Sequence, residues 1–242
     1  MKKVNLTMLS VLLFSFMFVA ASACNYTFNG IKGDGNVVKQ EREVGSFSGI
    51  EVGGAFKVFL SQGDEEKVIV ETNENLLDVI ETKVVGNTLK ISTTKDINKA
   101  DELNIYITFV NIEDLEVSGA CHLKSDNKIK LKELDLECSG ASDVELMLSL
   151  TVLEMDCSGA SQVELFGTAD NVELDLSGAS KLDAIEFETR KLDADISGAS
   201  GGKMSVTGEL SADVSGASSF RYKGEPTIRN VDVSGAASFK KY

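Results

Sequence analysis

Seven near-copies of one short motif decide the fold, and the fourth copy reads Leu174-Asp175-Leu176-Ser177-Gly178-Ala179-Ser180. Its Ser-Gly-Ala core recurs at 118–120, 139–141, 158–160, 177–179, 197–199, 215–217 and 234–236. The central glycines are separated by 21, 19, 19, 20, 18 and 19 residues. Such a period is typical of repeat proteins in which each unit packs on its neighbours.

The residues before each motif serine alternate apolar, acidic, apolar, as in Leu174-Asp175-Leu176. This period of two is typical of a strand with one buried face. A unit of about 19 residues holds two or three short strands and cannot bury its own apolar face, so units must stack. The sequence therefore predicts an all-β fold, a parallel β-solenoid with coils of about 19 residues.

The Ser-Gly-Ala core is predicted to form the corner of each coil. Glycine adopts positive φ readily, and its missing side chain allows close packing against the corners above and below. The preceding serine can bond a corner amide or a neighbouring hydroxyl. These serines are poor candidates for nucleophiles, because there are seven of them and no His partner recurs.

One acidic position recurs in every copy, two residues before the motif serine. In-register stacking would make it an outward column, the acidic ladder, formed by Glu116, Glu137, Asp156, Asp175, Asp195, Asp213 and Asp232. A second column would add Asp114, Asp135, Glu154, Glu173 and Asp193. Divalent Ca²⁺ could bridge these carboxylates. The alternative is a solvated face that keeps the solenoid soluble. We predict no cofactor, with Ca²⁺ as the one candidate.

Another predicted outward column is mixed in sign, and we interpret it as a surface ion-pair face. It holds Lys124, Glu145, Glu164, Asp183, Lys203, Arg221 and Lys240. Cys138 and Cys157 occupy one inward position in consecutive coils, within reach of a disulfide. Buried free thiols are the preferred interpretation, because Val, Leu and Ile hold the rest of that column.

Before the repeats stands a predicted export signal. Positive charge at Met1-Lys2-Lys3 precedes an apolar run from Met8 to Ala23, and Cys24 follows. The pattern predicts a signal peptide over 1–23 and a lipidated Cys24 that begins the mature chain. The alternative is a secreted protein with an unmodified Cys24. Residues 24–44 are polar and predict a lipid-anchored tether.

The remainder, 45–242, is predicted to be one domain, with degenerate capping coils over 45–115 and regular coils over 116–242. Within 45–115 we predict strands at 68–70 and 103–107, a hairpin or tight corner at 82–92 and a short helix at 75–81. Gly54 aligns with the corner glycines but lies 65 residues before Gly119, so degenerate coils are expected between them.

Composition narrows the function classes. The chain has 242 residues, 38 acidic against 24 basic, and a formal charge of -14. That charge argues against nucleic acid as a partner, since phosphate binding needs clustered Lys and Arg. A single histidine, His122, argues against His-based catalysis and multi-His metal sites.

From Phe47 to Tyr242 the chain resembles the putative auto-transporter adhesin, head GIN domain family. The resemblance rests on Phe47-x-x-Ile50-x-Val52-x-Gly54 with Val58 and Gly63, on Leu89-x-Ile91, and on the serial Ser-Gly-Ala-Ser units. It implies a right-handed parallel β-helix and an envelope or surface location, often as a lipoprotein. It implies no established catalytic residues.

These observations predict a non-catalytic cell-envelope lipoprotein, an adhesin-like binding or structural solenoid. Its partners would be a membrane, the outer membrane in our interpretation, and a protein or glycan ligand that the sequence does not name. A homo-oligomer formed through the open solenoid ends is a further option. The alternative is a polysaccharide-active lyase or hydrolase, which would need an acid–base pair in a cleft or Ca²⁺ with a basic side chain.

Overall fold

The computed structural model describes residues 30–242, and almost all of its regular structure is β. The one helix in this part of the chain is a 3₁₀ helix, Glu74–Val79. No helix within these residues has the length and hydropathy needed to cross a membrane. The strands are, in chain order, β1 Ile31–Lys32, β2 Val37–Arg42, β3 Gly49–Gly54, β4 Lys57–Gln62, β5 Lys67–Asn73, β6 Ile80–Val85, β7 Thr88–Thr93, β8 Ile97–Lys99, β9 Leu103–Phe109, β10 Asp114–Gly119, β11 His122–Ser125, β12 Ile129–Lys130, β13 Glu133–Cys138, β14 Asp143–Cys157, β15 Gln162–Leu176, β16 Lys181–Ile196, β17 Gly201–Val214, β18 Ser219–Lys223, β19 Thr227–Val233 and β20 Ser238–Lys241.

The second half of the chain is a stack of parallel coils, as predicted. In each regular coil the Ser-Gly-Ala corner lies between two strands, as Ser177-Gly178-Ala179 lies between the end of β15 and the start of β16. β14 pairs in parallel with β15 from Asp143 opposite Gln162 to Cys157 opposite Leu176. β15 also pairs in parallel with β16, and β16 pairs in parallel with β17. The all-β parallel solenoid with coils of about 19 residues is therefore confirmed.

Alternate side chains point inward and form one continuous core. Leu174 and Leu176 are buried in β15, and their register partners are buried in the coils on either side. At Gly202 the inward side chain is missing, and a Cβ there would lie 2.8 Å from Cδ2 of Phe220. The Phe220 ring of the next coil thus fills the space that Gly202 leaves.

The corner glycines have the backbone conformation that the motif predicts. All seven have φ between +69° and +81°. At each corner the alanine N–H donates to the glycine carbonyl of the coil below, at 2.7–2.8 Å. The predicted role of the serine before the glycine is only partly right. The well-buried hydroxyl belongs to the serine after Ala, as in Ser180, whose Oγ donates to the Ser177 carbonyl at 2.9 Å.

The region before the first regular coil is built differently from the prediction. Gly54 lies directly opposite Gly119, because β3 pairs in parallel with β10. No coil is therefore inserted between those glycines, and strands of the intervening segment stack on the other side of β3 and β4, where β7 and β9 pair with them in parallel. The reason is that the chain reverses direction here: β6 and β7 form the predicted hairpin, and β5 runs antiparallel to β9. The predicted strands at 68–70 and 103–107 lie within β5 and β9, and the predicted short helix is the 3₁₀ helix.

The predicted tether also differs from the structure from residue 30 onward. β2 pairs antiparallel with β5, from Val37 opposite Asn73 to Arg42 opposite Val68. β1 pairs with β8. Edge pairing of this kind satisfies backbone N–H and C=O groups and needs no apolar period, which is why the polar sequence gave no signal. Residues from Gly30 onward in the predicted tether thus belong to the described fold, while residues 24–29 and the predicted signal peptide lie outside the described residues.

Candidate functional site

The acidic ladder forms as predicted on one face of the solenoid. Its seven side chains lie opposite one another in consecutive parallel strands, and all seven are exposed. Glu51 extends the column below Glu116 through the β3–β10 pairing. Lys90, in β7, lies opposite Glu51 and forms an ion pair with it. We call this surface the acidic face.

A second carboxylate column runs beside the ladder, also as predicted. It consists of Asp114, Asp135, Glu154, Glu173 and Asp193 in register. The column loses its charge at both ends, where Gly49 and Ser211 take the equivalent positions. The doubled columns concentrate negative charge over the middle coils.

The crowding of carboxylates on the acidic face shifts their protonation. Partial burial, and then the neighbouring carboxylates Asp114 and Asp156, raise the pKa of Asp135. The same two causes raise the pKa of Glu137 and of Asp175. Like charges therefore oppose each other along the ladder. Within residues 30–242, no group of three or more His, Cys, Asp or Glu side chains is arranged to hold a metal ion. Cation binding by the ladder stays a prediction.

The mixed column also forms, on the face that follows the corner. Lys124, Glu145, Glu164, Asp183, Lys203, Arg221 and Lys240 occupy one register position in successive coils. Lys124 Nζ lies 2.8 Å from Glu145 Oε1, and Lys203 Nζ lies 2.8 Å from Asp183 Oδ2. The predicted ion pairs are confirmed, and we call this surface the mixed face.

The three described cysteines lie in the core and contribute no side chain to the acidic face or the mixed face. Cys138 and Cys157 lie opposite each other in register, and both are buried and unbridged. Cys121 is also buried and free. Burial raises the pKa of the Cys121 thiol, and the hydrogen bond to Cys157 together with burial strongly raises that of Cys138. Cys24, the predicted lipidation site, lies outside the described residues.

We expect none of these three thiols to react with an aromatic disulfide reagent while the protein is folded, because reaction needs an accessible thiolate. The measurement uses a Cys24→Ser protein at pH 8, with and without guanidinium. All three thiols should react only in denaturant. A Ser158→Cys variant, at an exposed position, should react in the folded protein and serves as the control. Native reaction of the three original thiols would contradict the packed core.

Sequence reasoning missed two features of these faces. One is Lys90, which ends the acidic ladder but belongs to a hairpin strand with no repeat motif. The other is a gap in the mixed face at Gly201. Its signal was visible in the sequence, because the fifth repeat carries Gly201-Gly202 where the other repeats carry side chains.

Comparison with known proteins gives a family and a fold. Residues 46–226 match the family model described as putative auto-transporter adhesin, head GIN domain. The fold is similar to that of a putative adhesin from Bacteroides fragilis, with a TM-score of 0.84 and 23% identity over 88% of this chain and 100% of that one. It is also similar to a putative lipid binding protein from Parabacteroides distasonis, with a TM-score of 0.74 and 21% identity over 88% and 99%. A putative adhesin from the same organism has a TM-score of 0.76 and 19% identity over 88% and 100%. No curated protein matches the sequence.

Proposed function

Since the chain belongs to the putative auto-transporter adhesin, head GIN domain family, we propose that it is a non-catalytic cell-envelope lipoprotein whose solenoid acts as an adhesin-like binding surface. The observation that carries this proposal is the in-register stack itself. It displays fixed columns of charge on two faces over its whole regular length. A repeated, rigid display suits the recognition of an extended or repetitive partner.

The same repetition supports binding rather than turnover. Acid–base catalysis by a pair of carboxyl groups needs environments that push their two pKa values apart. Along the ladder, Asp135, Glu137 and Asp175 share one kind of environment, and their pKa values move in the same direction. The acidic face therefore offers many equivalent carboxylates instead of one distinct pair.

The proposed anchor is a lipid on Cys24, inserted in the outer membrane. Gly30, the first described residue, comes six positions after Cys24, and an extended segment of that length spans at most about 20 Å. The β2–β5 end of the solenoid would thus lie close to the membrane. The regular coils would extend from it with a rise of roughly 4.8 Å per coil.

The anchor and the binding role are tested separately in cells. A Cys24→Ser protein should move from the detergent phase to the aqueous phase in detergent partition, while the unmodified protein stays with detergent. Protease treatment of intact cells should remove the solenoid if it faces outward. Cells lacking the protein should attach less to a glycan- or protein-coated surface, and the unmodified chain should restore attachment. Unchanged attachment on every surface would overturn the adhesin role, whatever the anchor does.

A further inference from the structure

The mixed face contains a groove of about 560 Å³ over its upper coils. Lys181, Lys203 and Arg221 line it together with Glu164 and Asp183. Its remaining lining includes the hydroxyl of Ser219, the amide of Gln162 and the small corner residues of two coils. This volume falls within the range of small-molecule sites, which is roughly 300–1,000 Å³.

The groove exists because one outward column lacks a side chain at Gly201 and carries only a short one at Ser219. In that column, Gln162 and Lys181 are followed by Gly201 and then by Ser219. Backbone therefore forms the floor at Gly201, and the mixed column beside it forms a wall. Neither the available space nor the backbone conformation requires glycine at position 201. Gly201 has no positive φ, and a Cβ there would lie 3.5 Å from Ser219 Oγ and 4.0 Å from the Ser219 carbonyl oxygen, both ordinary contacts.

The charge in the groove differs from that of the chain as a whole. Lys203 is paired with Asp183 at 2.8 Å. Lys181 and Arg221 are exposed, and neither forms an ion pair with a carboxylate of residues 30–242. Two uncommitted cations thus face a groove in a protein with a formal charge of -14. A guanidinium binds planar carboxylates and sulfates through two parallel hydrogen bonds, which makes Arg221 the stronger anchor.

We propose that this groove binds an acidic oligosaccharide, one that carries uronate or sulfate groups. Arg221 and Lys181 would hold the acidic group, while Glu164, Gln162 and Ser219 provide acceptors and donors for sugar hydroxyls. The groove is open and five charged side chains line it, so a glycan chain fits it better than an acyl chain does. The inference rests on the binding role proposed above and names a ligand class for it.

Calorimetric titration of the soluble Cys24→Ser protein, in buffer with 0.15 M salt, tests the proposal. The probes are tetragalacturonate, a heparin-derived tetrasaccharide and neutral maltotetraose. At least one acidic probe should bind, and maltotetraose should not. Arg221→Gln should weaken binding at least tenfold through lost charge. Gly201→Gln should do the same by filling the groove, without backbone strain. Lys124→Gln, which removes a cation of the same column outside the groove, is the matched control and should bind as the parent does.

Three outcomes would overturn the inference. Acidic probes that bind equally to the parent, Arg221→Gln and Gly201→Gln proteins would place binding elsewhere. Binding to phosphatidylglycerol vesicles but to neither acidic probe would assign the cations to a lipid surface. Failure of every probe would remove the acidic glycan as ligand, while the attachment assay of cells decides the adhesin role independently. Equal melting temperatures of the variants and the parent show that lost binding is not lost folding.

Discussion

The Gly159→Ala protein is expected to melt about 5–15 °C below the unmodified protein, which corresponds to about 2–5 kcal/mol for a domain of this size. Two costs add at this corner. Gly159 has φ +72°, where an L residue loses about 1–2 kcal/mol. In addition, a Cβ at this position would lie 2.5 Å from the Gly140 carbonyl oxygen and 3.0 Å from its nitrogen. Both contacts are to backbone of the coil below, which cannot move without separating the coils.

Gly86 provides the matched control for this prediction. It sits in the β6–β7 turn with φ +65°, and a Cβ there has no neighbour within 4 Å. Gly86→Ala should therefore show only the conformational cost, a loss of about 2–6 °C. Thermal melts followed by circular dichroism compare the two variants. Equal losses would mean that the close approach of successive corners contributes nothing to the specificity of stacking.

The corner glycines also show why so much of the fold could be predicted from sequence. A parallel coil places each residue beside its equivalent in the next coil, so any requirement at one corner is repeated at a fixed spacing. Gly159 must accommodate Gly140, and Gly178 must accommodate Gly159 in the same way. The acidic ladder follows from the same register, since Asp156 and Asp175 occupy equivalent positions. Because the same structural requirement recurs in every coil, it produces a periodic sequence, and the fold can be predicted from that period.

The features that could not be predicted from the sequence are those that occur only once in the chain. The pairing of β2 with β5 depends on backbone groups at a sheet edge, and polar side chains such as Lys39 and Glu41 do not signal it. The direct stacking of Gly54 on Gly119 requires knowing that the intervening chain turns back as hairpins. The groove at Gly201 was visible as a missing side chain, but Lys181 and Arg221, which have no carboxylate partner among residues 30–242, come from different coils, and only the register brings them together.

Lowering the pH from 7 to 4.5 is expected to raise the melting temperature by about 2–6 °C, which corresponds to about 1–2 kcal/mol of relieved repulsion once screening by solvent and salt is included. Asp135, Glu137 and Asp175 have pKa values raised above their ordinary ones. The stability linked to such a group is complete below its ordinary pKa and is lost as the pH rises through the raised value. Acidification from neutral pH therefore restores it. Neighbouring carboxylates about 4.8 Å apart repel by about 1 kcal/mol in water, before screening by salt.

A carboxylate whose pKa is shifted in the opposite direction, downward, limits this gain at lower pH. Hydrogen bonds from Asn104 and Tyr106, with the nearby Lys39, hold the pKa of Glu71 below its usual range. Its contribution is present above the ordinary pKa of glutamate and is lost as the pH falls through the lowered value. The melting temperature should thus pass through a maximum in the mildly acidic range and fall again below it.

Thermal melts between pH 3.5 and 7.5 test the ladder as the cause. The double variant Glu137→Gln/Asp175→Asn leaves Asp156 between two neutral neighbours in the column. It should melt higher than the parent at pH 7 and gain less on acidification, because its repulsion is already relieved. Glu145→Gln, which breaks the Lys124 ion pair on the mixed face, removes one negative charge without touching the ladder. It should keep the full acid-induced gain, so an equal loss of that gain in both variants would attribute the effect to net charge instead of to the ordered columns.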